Sequence, residues 1–126
     1  MTRFVLLSTT ALFVTTTALS AAPAIGLSGD KTLVMFDTDT LEVSGTMEAS
    51  GVDKLVGIDL RPSNNTLIGV TPDSVVVSID PKTGKATTLS TMDKKLPMTD
   101  APVIVDFNPM ADKLRYMTGT TNHRVD

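Results

Sequence analysis

Leu55-Val56-Gly57-Ile58-Asp59-Leu60-Arg61-Pro62-Ser63-Asn64-Asn65-Thr66-Leu67-Ile68-Gly69-Val70 is the stretch that decides the fold. Two short apolar runs, Leu55 to Leu60 and Thr66 to Val70, flank a cluster of Pro, Ser and Asn. The same grammar continues. Thr71-Pro72-Asp73 leads to Ser74–Ile79 (SVVVSI), and Asp80-Pro81-Lys82-Thr83-Gly84 leads to Ala86–Leu89. Runs of this length, rich in β-branched residues and bounded by turn formers, predict four antiparallel strands in about forty residues. No window carries a sustained helical period, so no helix is expected in residues 25–126.

The stretch recurs. Ile58-Asp59-Leu60-Arg61-Pro62 aligns with Val105-Asp106-Phe107-Asn108-Pro109, 47 residues on, and Leu67 and Val70 align with Leu114 and Met117. Val34-Met35-Phe36-Asp37-Thr38-Asp39-Thr40 resembles Val77-Ser78-Ile79-Asp80-Pro81-Lys82-Thr83 at an offset of 43, and Val125-Asp126 resembles Ile79-Asp80 at 46. A four-stranded unit repeating at this interval is the signature of a β-propeller blade. One such sheet hides only part of its apolar surface and must stack on neighbours. The expected architecture is all-β: a partial propeller-like array of four-stranded antiparallel blades. Residues 25–126 would hold the back half of one blade, one whole blade and the front half of another. The repeat is expected to be incomplete at its C-terminal side.

Composition narrows the chemistry. The 126 residues include no Cys, no Trp and a single His, with 11 Lys+Arg against 14 Asp+Glu. Disulfide scaffolds, thiol catalysis and Cys-ligated metals are excluded, as is any site needing two imidazoles. A net charge of −3 argues against a nucleic-acid binder. Residues 1–24 stand apart: Arg3, an apolar Phe4–Val14, then small residues ending in Ala22-Pro23-Ala24. This is the layout of a secretory signal peptide, a helix cleaved near Ala24, and it implies a secreted or periplasmic protein. Retention as a membrane anchor is the alternative, since Phe4 to Ile25 could just span a bilayer.

The repeat residues resemble the secreted, mostly bacterial family called domain of unknown function 4394. Gly57-Ile58-Asp59-Leu60-Arg61-Pro62, Leu67-Ile68-Gly69-Val70, Ile79 to Thr87, Asp106 to Arg115 and Asn122-His123-Arg124 follow its pattern in order and spacing. Leu60 and Ile68 stand where the family has aromatics, and Lys113 where it has Arg. The resemblance implies export and a propeller-like β fold. It carries no established activity and no catalytic residues.

Candidate chemistry rests on Asp59 and Asp106, equivalent carboxylates in successive repeats. A mid-strand carboxylate between apolar neighbours is costly unless paired. Either both face a channel and bind a cation such as calcium, or each caps a turn or pairs with Arg61, Arg115 or Arg124. Asp80 to Gly84 reads as a turn, with Pro81 presetting φ and Gly84 supplying a positive φ. Asp37-Thr38-Asp39-Thr40 spaces two carboxylates as calcium loops do, but lacks their Gly and distal Glu. Asn64-Asn65-Thr66 is a glycosylation sequon that matters only on a eukaryotic secretory route. His123 reads as a surface or turn residue, and Lys94-Lys95 as part of an exposed loop over Ser90–Ala101. Met35, Met47, Met92, Met98, Met110 and Met117 read as packing filler.

The function expected is a non-enzymatic binding or interaction module for an unknown protein or small molecule. The alternative is a divalent-cation-dependent enzyme of the hydrolase or lactonase kind, an analogy at the level of fold alone. No cofactor is implied beyond calcium. No stable membrane anchor remains if the leader is cleaved, and open strand edges are expected to make the chain self-associate.

Overall fold

The computed structural model describes residues 22–97 and 101–126. Within them the chain forms ten strands and no helix: β1 (Pro23–Ser28), β2 (Thr32–Asp37), β3 (Val43–Glu48), β4 (Gly57–Arg61), β5 (Thr66–Val70), β6 (Val75–Ile79), β7 (Ala86–Thr91), β8 (Val103–Asn108), β9 (Lys113–Thr118) and β10 (Thr121–Val125). The four strands read from residues 55–89 are β4 to β7, in one antiparallel sheet ordered as in the sequence. A three-stranded sheet, β1-β2-β3, precedes it, and another, β8-β9-β10, follows.

The outer sheets are larger than the half-blades expected. The 43-residue offset makes β1, β2 and β3 the counterparts of β5, β6 and β7. The first sheet therefore holds the last three strands of the repeat, and the third sheet holds its first three. β1 escaped the sequence reading because Pro-Ala-Ile-Gly-Leu-Ser carries one β-branched residue and abuts the leader. Most of the leader, residues 1–21, lies outside the described residues, as does Met98; Pro23 and Ala24 open β1, paired with Asp37 and Phe36.

Burial shows how the sheets stack. In β5, Leu67, Ile68 and Val70 are all buried although neighbouring side chains point to opposite faces, so the central sheet is covered on both sides. In β8, buried Val105 and Phe107 alternate with exposed Ile104 and Asp106, so the third sheet is covered on one side only. Two cores result. One joins the first and central sheets through Leu33, Ala49, Leu55, Leu67, Val77 and Ile79. The other joins the central and third sheets through Ile68, Val70, Val76, Val105, Phe107, Leu114 and Tyr116. Burying side chains of this size contributes about 1.5–3 kcal/mol each. The stack therefore depends on aliphatic packing, with Phe107 and Tyr116 its only fully covered aromatics among the described residues.

The hairpins repeat as faithfully as the strands. Asp37 N–H donates to Glu42 O and Leu41 N–H to Asp37 O; Asp80 N–H donates to Lys85 O and Gly84 N–H to Asp80 O. Leu41 and Gly84 occupy the same left-handed position, at φ 59° and 73°. A Cβ on Gly84 would sit 2.5 Å from Glu48 O, whereas the exposed Leu41 side chain points into solvent. The turns after β4 and β8 match as well, with Asn65 and Asp112 left-handed at φ 55° and 50°. Of the methionines, Met47 and Met92 pack against the two cores, but Met110 is 94% exposed at a turn and fills nothing.

The two equivalent turns should respond oppositely to one kind of change. Leu41→Gly removes a side chain from a left-handed position and is expected to raise stability by about 1 kcal/mol in urea unfolding. Gly84→Ala is expected to lower stability by about 2 kcal/mol or more, since it combines the unfavourable φ with a backbone clash.

Candidate functional site

The equivalent carboxylates Asp59 and Asp106 lie on the strands that begin the central and third sheets, β4 and β8, which run against each other. Gly57, Asp59 and Arg61 share one face of β4 by strand alternation, and that face meets the third sheet. Gly57 permits the approach: a Cβ there would lie 2.5 Å from Val105 Cγ2. Asp59 Oδ2 accepts the backbone N–H of Phe107 at 2.6 Å, a charge-assisted bond across the seam. It satisfies an amide on the side of β8 away from β9.

Arg61 completes the clasp. Its Nε donates to Asp112 Oδ1 at 2.9 Å and its Nη2 to Asp112 Oδ2 at 2.5 Å, a two-pronged pair across 51 positions of sequence. The guanidinium also sits 5.9 Å from the centroid of the Phe107 ring, within reach of a cation–π attraction. Arg61 holds the Asp112 carboxyl below its ordinary pKa, and the carboxylate raises that of Arg61. Both side chains are about one-third exposed, so solvent screens the pair. Asp112 reaches Arg61 from the left-handed position at the end of the β8–β9 turn, which aims its side chain back over the seam.

Asp106 stands differently. It is exposed on the uncovered face of β8, opposite Arg115 on β9, with no hydrogen bond or ion pair found for it among the described residues. Asp59 and Asp106 therefore do not converge on one point; each faces along the stack in the same sense. No group of three His, Cys, Asp or Glu side chains near enough to hold a metal ion occurs among the described residues.

The remaining candidates are structural. Asp37 Oδ1 accepts the N–H groups of Asp39 at 2.7 Å and Thr40 at 3.0 Å. Asp80 Oδ1 accepts that of Lys82 at 2.8 Å. These bonds to Thr40 and Asp39, and to Lys82, keep the two carboxyls below the ordinary value. Asn64 Oδ1 likewise accepts from Thr66 N–H, so the sequon asparagine braces its own turn. His123 is not in a turn. It lies half-buried in β10, its ring 6.5 Å from that of Tyr116 and edge-on to it. Lys95 reaches Asp73 at 3.7 Å on the surface. The Arg61–Asp112 pair went unforeseen because its two positions are not repeat equivalents. The signal that could have found it is the acid at Asp112, standing where the preceding repeat has Asn65.

The family described as Domain of unknown function (DUF4394) matches residues 32–126, most of the chain, and the chain belongs to it. No curated protein matches the chain, and no solved structure does.

Two changes separate the clasp's parts. Asp59→Ala leaves the Phe107 N–H without its acceptor in a partly buried seam and is expected to cost about 1–3 kcal/mol by denaturant unfolding. Asp112→Asn should lower the melting temperature at pH 7. Because the folded carboxyl titrates below its unfolded value, its contribution is present above pH 4 and is lost as pH falls through the folded pKa. The gap between wild type and Asp112→Asn should therefore close in acid.

Proposed function

We propose that this member of the domain of unknown function 4394 family is an exported, propeller-like repeat protein that binds a partner rather than transforming one. The observation that carries the reading is the geometry of the seam. Successive antiparallel sheets stack face to face, with the first strands of two units side by side and a repeated hairpin at the far side. Propeller blades are arranged in this way about an axis. Asp59, which a channel enzyme would need for a cation, is engaged with the Phe107 amide. The clasp holds sheets together and leaves the loops between strands to make contacts, as in other repeat scaffolds.

The leader supports export to the periplasm or the cell exterior. Cleavage after Ala24 would leave Ile25–Ser28, the apolar part of β1 that lines the first core, in the mature chain. The partner is a protein or small molecule met outside the cytoplasm.

Fusing residues 1–30 to a phosphatase that is active only outside the bacterial cytoplasm tests export. Phosphatase activity, with a full-chain product whose first residue lies near Ile25 by mass spectrometry, is the expected outcome. A product of unreduced mass that stays in the cytoplasm would refute the reading.

A further inference from the structure

A slot of about 330 Å³ opens between the central and third sheets, at the end where β4 and β8 begin and β5 and β9 finish. Val56, Leu96 and Val103, each half-buried against the second core, form its inner wall. Pro72 and Pro97 stand at its exposed rim. Neither β1 nor β10 contributes to it, so its walls do not depend on the outermost strands.

The two seams differ at this place. In the first seam Leu55 is buried and lies over Gly69, 2.9 Å from where a Cβ would be. The equivalents 47 residues on are Pro102 and Tyr116. The link into β8, residues 92–102, is also longer than the link into β4, residues 49–56. The repeat thus closes this place once with an aliphatic side chain, and once leaves it lined by a phenol.

Tyr116 is only 2% exposed, and no hydrogen bond to its hydroxyl is found among the described residues. Thr118 Oγ1 is spent on the wall itself, 3.2 Å and 3.1 Å from the carbonyls of Ala101 and Pro102. Among the described residues the slot is lined by one charged side chain, Lys54, and by no acid. Lys54 Nζ lies 3.0 Å from Asp30 Oδ1 with both side chains more than half exposed, so the pair is weak and the ammonium is available to an anion. The slot therefore offers an apolar wall, rigid prolines that lose little freedom on binding, one neutral donor and one cation.

We propose that the slot binds a small aromatic carboxylate, with its ring against Val56, Leu96 and Val103 and its carboxylate toward Lys54 and the Tyr116 hydroxyl. Size selects a single ring: an apolar cavity of about 150 Å³ holds benzene, so this slot admits a ring and a short acid arm. Charge selects the acid, because a cation lines the slot and no carboxylate does. The inference deepens the binding reading and rests on it, but not on export.

Isothermal titration of the full chain with 3-phenylpropionate and indole-3-acetate, each beside its amide, tests the proposal. The acids should bind one-to-one, and the amides roughly tenfold more weakly. Lys54→Gln should weaken the acids roughly tenfold and leave the amides unchanged, while Tyr116→Phe should weaken both. If Tyr116→Phe loses its cooperative melt, the exposed Lys54→Gln decides alone. No saturation by either acid at about 10 mM would overturn the proposal. So would acids and amides that bind alike, or acid affinity untouched by both substitutions. Binding seen only in Met98→Ala would overturn it too, by showing that the chain's own Met98, outside the described residues, fills the slot. Failure here removes the slot and its ligand; the reading as a binding module then stands on the loops, and export is judged by the phosphatase fusion.

Discussion

A carboxylate that accepts a backbone amide of the next sheet is the constraint on which the rest depends. Hydrophobic stacking brings the sheets together but is non-directional and tolerates sliding. The Asp59–Phe107 bond is directional and fixes β4 against β8 at one register. Once it is set, Val105 fits against Gly57 and Arg61 reaches both Asp112 and the Phe107 ring. A one-residue slip would turn Phe107 out of the core and put Asp106 or Asn108 in its place.

The repeat shares out work unequally between equivalent positions. Asp59 is engaged and Asp106 is open; Asn65 ends its turn as a neutral residue and Asp112 as the acid that grips Arg61. The hairpins are conservative by comparison, with the same two backbone bonds closing β2–β3 and β6–β7 although the left-handed corner is Leu41 in one and Gly84 in the other. The turns set the backbone frame, and the inter-sheet chemistry is written on top of it.

Much of the fold was legible in the sequence. Strand patterns, turn residues and offsets of 43 and 47 located β4 to β7 closely and matched β8 to β4. These signals are local, and turn chemistry is the most local of all. β1 was hidden by its Gly and Ala content and by its place against the leader. The site was half legible. Spacing identified Asp59 as a carboxylate needing a partner, but that partner is a main-chain amide 48 positions away, which no side-chain pattern marks. His123, expected at the surface or in a turn, sits half-buried in a strand beside Tyr116, a neighbour that local sequence does not mark.

Every strand in the three sheets pairs with its neighbour in sequence, and none waits for a distant segment to complete its ladder. Contacts of short sequence separation form quickly, and the entropy lost in closing each hairpin is small. When such a chain emerges N-terminus first, from a ribosome or through a pore, each hairpin can close as it arrives. Only the seam bonds, spanning about fifty residues, must wait for the following sheet. Assembly order then follows chain order, and the clasp is the last step in joining the third sheet to the central one.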